Sequence, residues 1–228
     1  MFTLAFDTTF KTLSIALFYN KDPISTKIIS KEFQHCELII SEIENILAEK
    51  NIWYQDLKII AVNKGPGSFT GTRVGLAVAK MLKLSINANI FAISSFEALA
   101  YNFKNHSKKI FIVVNSELND EVFLTSAILE NNFPKINNDV SMFKLEKLED
   151  EINKIDQSLI CFLNINEPEF ENKKNHLIKT KNNSDIIYLI TIMAIDAYNY
   201  YQKNNNLPLK SLLDLSPIYI KANTKSHL

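Results

Sequence analysis

Glycine is scarce in this chain, with four residues in 228, where ordinary usage of about 7% would supply about sixteen. Arginine is scarcer, one against 24 lysines. The two cysteines, Cys36 and Cys161, are far apart and form no C-x-x-C pair, which argues against a disulfide framework or a zinc site and favours a reducing cytoplasm. No run of eighteen apolar residues occurs, and the start MFTLAFDTTF lacks a basic segment followed by a sustained apolar one, so neither membrane spanning nor secretion is expected. Net charge is also missing: 25 basic side chains meet 25 acidic ones. The whole chain therefore has no electrostatic footprint for a phosphate backbone, and any RNA is expected to be held through another protein.

What remains is a globular composition, 46% hydrophobic and 22% charged, long enough for one large domain or two small lobes. The scarce residues are concentrated. Gly65, Gly67, Gly71, Gly75 and Arg73 all fall within GPGSFTGTRVG. A chain poor in both residue types has kept them where backbone freedom or a planar cation has a use.

Alternation predicts strands at Leu4 to Phe6, Thr12 to Tyr19 and Ile24 to Ser30. From Gln34 to Lys50 the period becomes helical, with Cys36, Ile40, Ile43 and Leu47 along a seam and Leu38, Ile39 and Ile46 widening it. A strand at Leu57 to Asn63, the glycine loop, a helix at Thr70 to Leu84, a strand at Asn89 to Ile93 and a helix from Ser94 to about Phe103 follow. Three strands followed by alternating helix and strand give an α/β lobe with a mixed sheet. The polar stretch Asn102 to Lys109 opens a second lobe with runs at Ile110 to Val114, Val122 to Leu129 and Leu159 to Leu163 and a helix near Ser184 to Gln202. The divisions expected are 1–103, 104–205 and a closing segment 206–228 that packs back on the first lobe.

Two constellations could carry chemistry. The strand-to-helix turn Gly65, Gly67 and Ser68, with Asp7 and Thr8 at the end of the first strand, has the form of an anion site, since glycines admit close approach and a helix start favours negative charge. Its spacing matches neither the dinucleotide nor the P-loop pattern, and a tight turn without ligand explains it equally. Gly71, Gly75 and Ala79 recur every four residues and make a smooth strip, open either to the preceding helix or to another subunit. No metal site, cofactor or catalytic residue is expected.

The FDTT strand end, GPGSFTGTRVG, Ile93-Ser94-Ser95 and Pro217-Ile218-Tyr219-Ile220-Lys221 together resemble the TsaB family, also called YeaZ, over nearly the whole chain. The resemblance implies a two-lobed fold of the actin, Hsp70 and sugar-kinase (ASKHA) type with a reduced second lobe, and a role in making threonylcarbamoyladenosine beside the anticodon. It implies a non-catalytic partner of the paralogous enzyme TsaD, with the ATPase TsaE docking on the pair and a homodimer forming when TsaD is absent. The interface it implies lies on the first two helices, drawing on Cys36, Ile39, Ile40, Ile43, Leu47, Gly71, Gly75 and Ala79. His35, His106, His176 and His227 are too scattered for the local H-x-x-x-H of the metal-bearing paralogue. Many members carry D-A-R where this chain has Asn115, Ser116 and Glu117, which weakens a nucleotide cleft. The alternative is a small kinase or ATPase of the same fold using Asp7 and the glycine loop.

Overall fold

The computed structural model describes residues 1–30, 35–105, 109–115, 120–137, 139–155, 159–165, 177–205, 210–218 and 220, and of residues 35, 36, 177–180, 183, 184, 210 and 211 the backbone alone. The first sheet contains β1 (Phe2–Asp7), β2 (Leu13–Tyr19), β3 (Asp22–Ile29), β4 (Leu57–Asn63) and β5 (Asn89–Ile93), in the order β3-β2-β1-β4-β5. β1 is antiparallel to β2 and parallel to β4, and β4 is parallel to β5. Helices α1 (His35–Ala48), α2 (Phe69–Ser85) and α3 (Ser95–Tyr101) follow β3, β4 and β5.

The second sheet repeats this plan. It comprises β6 (Ile110–Asn115), β7 (Glu121–Glu130), β8 (Phe133–Ile136), β10 (Leu159–Leu163) and β11 (Leu177–Lys181), ordered β11-β10-β6-β7-β8, with β9 (Ser141–Lys144) paired to β7. Read from the third strand of each lobe, both orders are 3-2-1-4-5, with the same two antiparallel and two parallel pairings. Helix α4 (Leu148–Asn153), which precedes β10 as α1 precedes β4, has six residues where α1 has 14. Helix α5 (Asn183–Asn204) ends the repeat. The strands β8, β9 and β11 lie in the region where the sequence pattern is weakest. β9 presents only half-buried and exposed residues, so alternation against a core has little to imprint there.

Both faces of β1, β2, β4 and β5 are covered, so both alternating sets of their residues are buried, while the edge strand β3 is half-buried to exposed. Leu4, Phe6, Ile15, Leu17, Ile60 and Val62 face α1 and α2. Their alternate neighbours Ala5, Ala16, Phe18, Ile59 and Ala61 join a second cluster that includes α3, α5 and residues of β6 and β10. Helix α3 thus packs on the second sheet and α5 on the first, so the two lobes share one core even though the strands divide between residues 93 and 110. In the closing segment, Leu212 is buried in that shared core, Leu215 packs against the cluster between the first sheet and its helices α1 and α2, and the Ile218 N–H donates to the Lys64 carbonyl. Among the described residues, no helix is long and apolar enough to cross a membrane.

Candidate functional site

The parallel strands β1 and β4 end side by side, and their last residues hold the glycine loop in place. Asp7 is buried. Its Oδ1 accepts from the Thr9 N–H and the Thr9 hydroxyl, each at 2.7 Å, and its Oδ2 accepts from Asn63 Nδ2 at 2.8 Å. That same Asn63 amide is 2.9 Å from Ser95 Oγ, and Asn63 Oδ1 accepts from the Gly65 N–H. Lys64 is buried beside Glu97 at 3.6 Å, and Glu97 accepts from the Ser94 N–H and hydroxyl in the capping box that starts α3. Asn63, Lys64, Ser95 and Glu97 carry this network, and none of the four stands out as a site residue in the sequence. A signal is nonetheless present: polar residues in the middle of an apolar pattern, at strand ends, must find partners if they are buried.

The glycines fit against the chain's own first turn. Gly65 has φ +98°, a left-handed conformation that glycine adopts without strain. A Cβ on Gly67 would stand 2.2 Å from the Thr9 carbonyl oxygen, and one on Gly71 would stand 1.9 Å from the Thr8 carbonyl oxygen. The Thr8 hydroxyl donates to the Gly71 carbonyl at 2.6 Å and sits 2.6 Å from where a Gly75 Cβ would be. Ser68 caps α2, its Oγ accepting from the Gly71 N–H, and its own N–H donates to the Thr9 carbonyl. Asp7, Thr8, Gly65, Gly67 and Ser68 therefore do converge, but on each other. Thr8 and Thr9 fill the space that small residues would leave for an anion.

The same geometry places the residues named for an interface on the first two helices. Gly71, Gly75 and Ala79 are buried, and both glycines face Thr8 rather than a neighbouring helix or a second subunit. Ile39, Ile43 and Leu47 are also buried, in their own lobe's core, because an amphipathic helix on a sheet spends its widest apolar face there. Ile40 remains half-exposed, and the side chain of Cys36 lies outside the described residues.

The surface left on α2 is a second apolar stripe. Ala77, Met81 and Leu84 recur at spacings of four and three residues on the side away from Gly71 and Gly75 and are exposed, bordered by the half-buried Val74, which packs on the core of the first lobe. Leu84 is 89% exposed and Met81 44%. Phe69, 56% exposed, opens the stripe, and the chain's only arginine, Arg73, stacks over its ring at 3.7 Å. The glycines draw the eye in the sequence and this face does not, since a helix apolar on two sides gives a blurred period.

At the far end of the first sheet, Asp196 of α5 joins three elements. It pairs with Lys21 of the β2–β3 turn and, at 3.2 Å, with Lys104, and it accepts from the Tyr101 hydroxyl at 2.6 Å. Burial would raise the Asp196 carboxyl, but Lys21, Tyr101 and Lys104 outweigh it and hold the group below the usual carboxylate range. Burial, then the Asp196 hydrogen bond and charge, push the Tyr101 phenol up.

The repeated 3-2-1-4-5 sheets with helices between them define a two-lobed α/β protein of the actin, Hsp70 and sugar-kinase type. YeaZ from Pseudomonas aeruginosa has a similar fold, with a TM-score of 0.61 at 16% identity over 96% of this chain and 99% of that one. In sequence, the chain is 31% identical over 160 residues to the tRNA threonylcarbamoyladenosine biosynthesis protein TsaB of Buchnera aphidicola subsp. Schizaphis graminum, covering 69% of this chain and 75% of that protein. The TsaB protein of Bacillus subtilis is 39% identical over 45% of this chain and 44% of its own length. Residues 27–133 match the family model for TsaD, tRNA N6-adenosine threonylcarbamoyltransferase. The chain belongs to the TsaB family of tRNA threonylcarbamoyladenosine biosynthesis proteins.

Proposed function

We propose that this chain is a cytoplasmic, non-catalytic subunit of a tRNA threonylcarbamoyladenosine-forming complex, and that it pairs with a TsaD-type catalytic subunit through the outer face of α2 and the adjoining surface of α1. The observation that carries the reading is the stripe Phe69, Ala77, Met81 and Leu84, apolar yet exposed on the face of α2 away from the chain's own core. The match of residues 27–133 to the TsaD family model supports a partner built on the same plan. Two related lobes can then present equivalent helices to each other, and a second copy of this chain can stand in when the partner is absent. A TsaE-type ATPase docking on the pair follows from the family resemblance alone.

A partner role also suits the strand ends. The Asp7 carboxylate is committed to Thr9 and Asn63, Gly67 and Gly71 are closed by Thr9 and Thr8, and Asn115, the counterpart of Asp7 at the end of β6, is neutral and donates to the Asn164 carbonyl. A subunit of this kind acts by favouring one conformation of its partner, to which it must bind more tightly than to the alternatives.

The test is light-scattering mass of the chain mixed with TsaD from the same organism, with reconstituted tRNA modification beside it. The native chain is expected to form a one-to-one complex and restore modification, and Leu84→Glu to do neither while staying folded. A Leu84→Glu chain that still pairs would remove the α2 face from the interface. Saturable ATP turnover by the isolated chain, lost in Asp7→Ala, would favour the kinase-like alternative.

A further inference from the structure

Two cavities flank the turn between β7 and β8, on the side of the first sheet opposite α1 and α2. The larger, about 500 Å³, lies between that turn, the end of α3 and the last turns of α5; the smaller, about 330 Å³, lies on the other side of β8. In a chain with no net charge, their linings are one-sided. Lys104 and Lys203 line the larger and Lys109 and Lys135 the smaller, Lys135 being paired with Glu130 at 2.8 Å; among the described residues, Asp196 is the single carboxylate lining either. Asp196 is already shared between Lys104 and Lys21, so it leaves the surface positive.

The remaining polar groups are mostly amides. Asn131, Asn132, Asn199 and Asn204 line the larger cavity, and Asn137 the smaller. An amide both donates and accepts, which suits base edges and ribose hydroxyls, whereas an acidic peptide would call for donors alone. Tyr200, half-buried and packed against the shared core, lines the larger cavity, its ring 5.8 Å from that of Phe133 and nearly perpendicular to it. Lysines for phosphates, amides for base edges and an aromatic face for stacking are the parts of a single-stranded nucleic acid site.

We propose that this surface binds an unpaired segment of RNA, its phosphates meeting Lys203 and Lys109 on either side of the β7–β8 turn and a base lying against Tyr200. RNA as the occupant rests on membership of a tRNA-modification family, not on the partner assignment. The surface adds a direct contact to tRNA that the neutral composition argues against, because average charge hides a local excess. It lies on the opposite side of the sheet from the α2 stripe, so a partner there leaves it uncovered.

The experiment is fluorescence anisotropy of a labelled RNA hairpin with an unpaired loop, titrated with the full chain alone across a series of salt concentrations. The native chain is expected to bind with salt-dependent affinity. The double variant Lys203→Glu with Lys109→Glu, two exposed positions, is expected to bind at least about tenfold more weakly, the salt slope falling by about 0.7 for each phosphate that is no longer neutralised. Leu84→Glu should bind RNA as the native chain does. The proposal is overturned if the native chain shows no salt-dependent binding, if the double variant, intact by circular dichroism, binds equally well, or if Leu84→Glu abolishes binding. Competition by inorganic phosphate or polyglutamate at the RNA's own charge concentration would also overturn it, marking the surface as a general anion site.

Discussion

The two faces of α2 use small and large residues in opposite ways. The inner face carries Gly71, Gly75 and Ala79, all buried, and its two glycines are closed against Thr8; the outer face carries Phe69, Met81 and Leu84, all exposed. A run of small residues records a close approach, and in this molecule the approach is made by a backbone turn of the same lobe. An exposed run of large apolar residues records an approach that the chain alone does not make. Spacing of four residues does not tell the two apart, since both faces share it.

The largest expected effect is on the inner face. In an open helix Gly→Ala stabilises by about 1 kcal/mol. At Gly71 the new methyl would meet the Thr8 carbonyl at 1.9 Å, and that oxygen is backbone and cannot rotate away. Gly71→Ala should therefore destabilise the chain by about 3 kcal/mol, the upper part of the overpacking range, measured as a lowered urea midpoint. A gain in stability would show that Thr8 does not close the strip. By the same crowding, Gly75→Lys is expected to disturb the fold and so makes a poor probe of pairing.

Next come the strand ends. Asn63→Ala removes a donor to the buried Asp7 carboxylate and an acceptor for the Gly65 N–H, at a cost of about 2 kcal/mol. Asp7→Asn should cost a similar amount if the carboxylate is only a structural acceptor. An unchanged stability for either would reopen the loop to an external ligand.

The Asp196 junction gives a smaller effect with a defined pH dependence. Its folded carboxyl lies below the ordinary value, so its contribution is present above the unfolded pKa of about 3.9 and is lost as pH falls through the folded one. Asp196→Asn should lower stability at pH 7 by about 1 kcal/mol, discounted for the partial exposure of Lys21 and Lys104. The difference from the native chain should shrink in acid. A constant difference from pH 7 to pH 3 would rule out the ion pairs as its source.

The first sheet is legible in the sequence almost strand for strand, because its residues alternate between two apolar clusters and every change of direction is marked by polar residues such as Asp7 to Lys11. The two loops that meet, Asp7–Thr8 and Gly65–Ser68, are legible too, but not that they meet each other: an approach between residues about 60 positions apart has no local period. β8 and β9 leave little trace because they are four residues each and partly exposed. The shared core leaves none, because α3 and α5 pack across the lobes, which a reading lobe by lobe cannot anticipate.

The smallest effect on stability is expected where the largest effect on assembly lies. Met81→Lys with Leu84→Glu changes two exposed side chains on the last turns of α2 and should move the unfolding free energy by no more than about 0.5 kcal/mol. If the outer face is the centre of an interface, the same pair should weaken association by at least about thirtyfold, the scale of about 2 kcal/mol that marks an interface anchor. Isothermal titration against TsaD measures the second and denaturant unfolding the first. Loss of both together would mean that Met81 and Leu84 support the fold, and the contrast between the two faces of α2 would fail. Loss of neither would leave the stripe as ordinary exposed surface. Loss of association alone would assign the small residues to folding and the large ones to assembly.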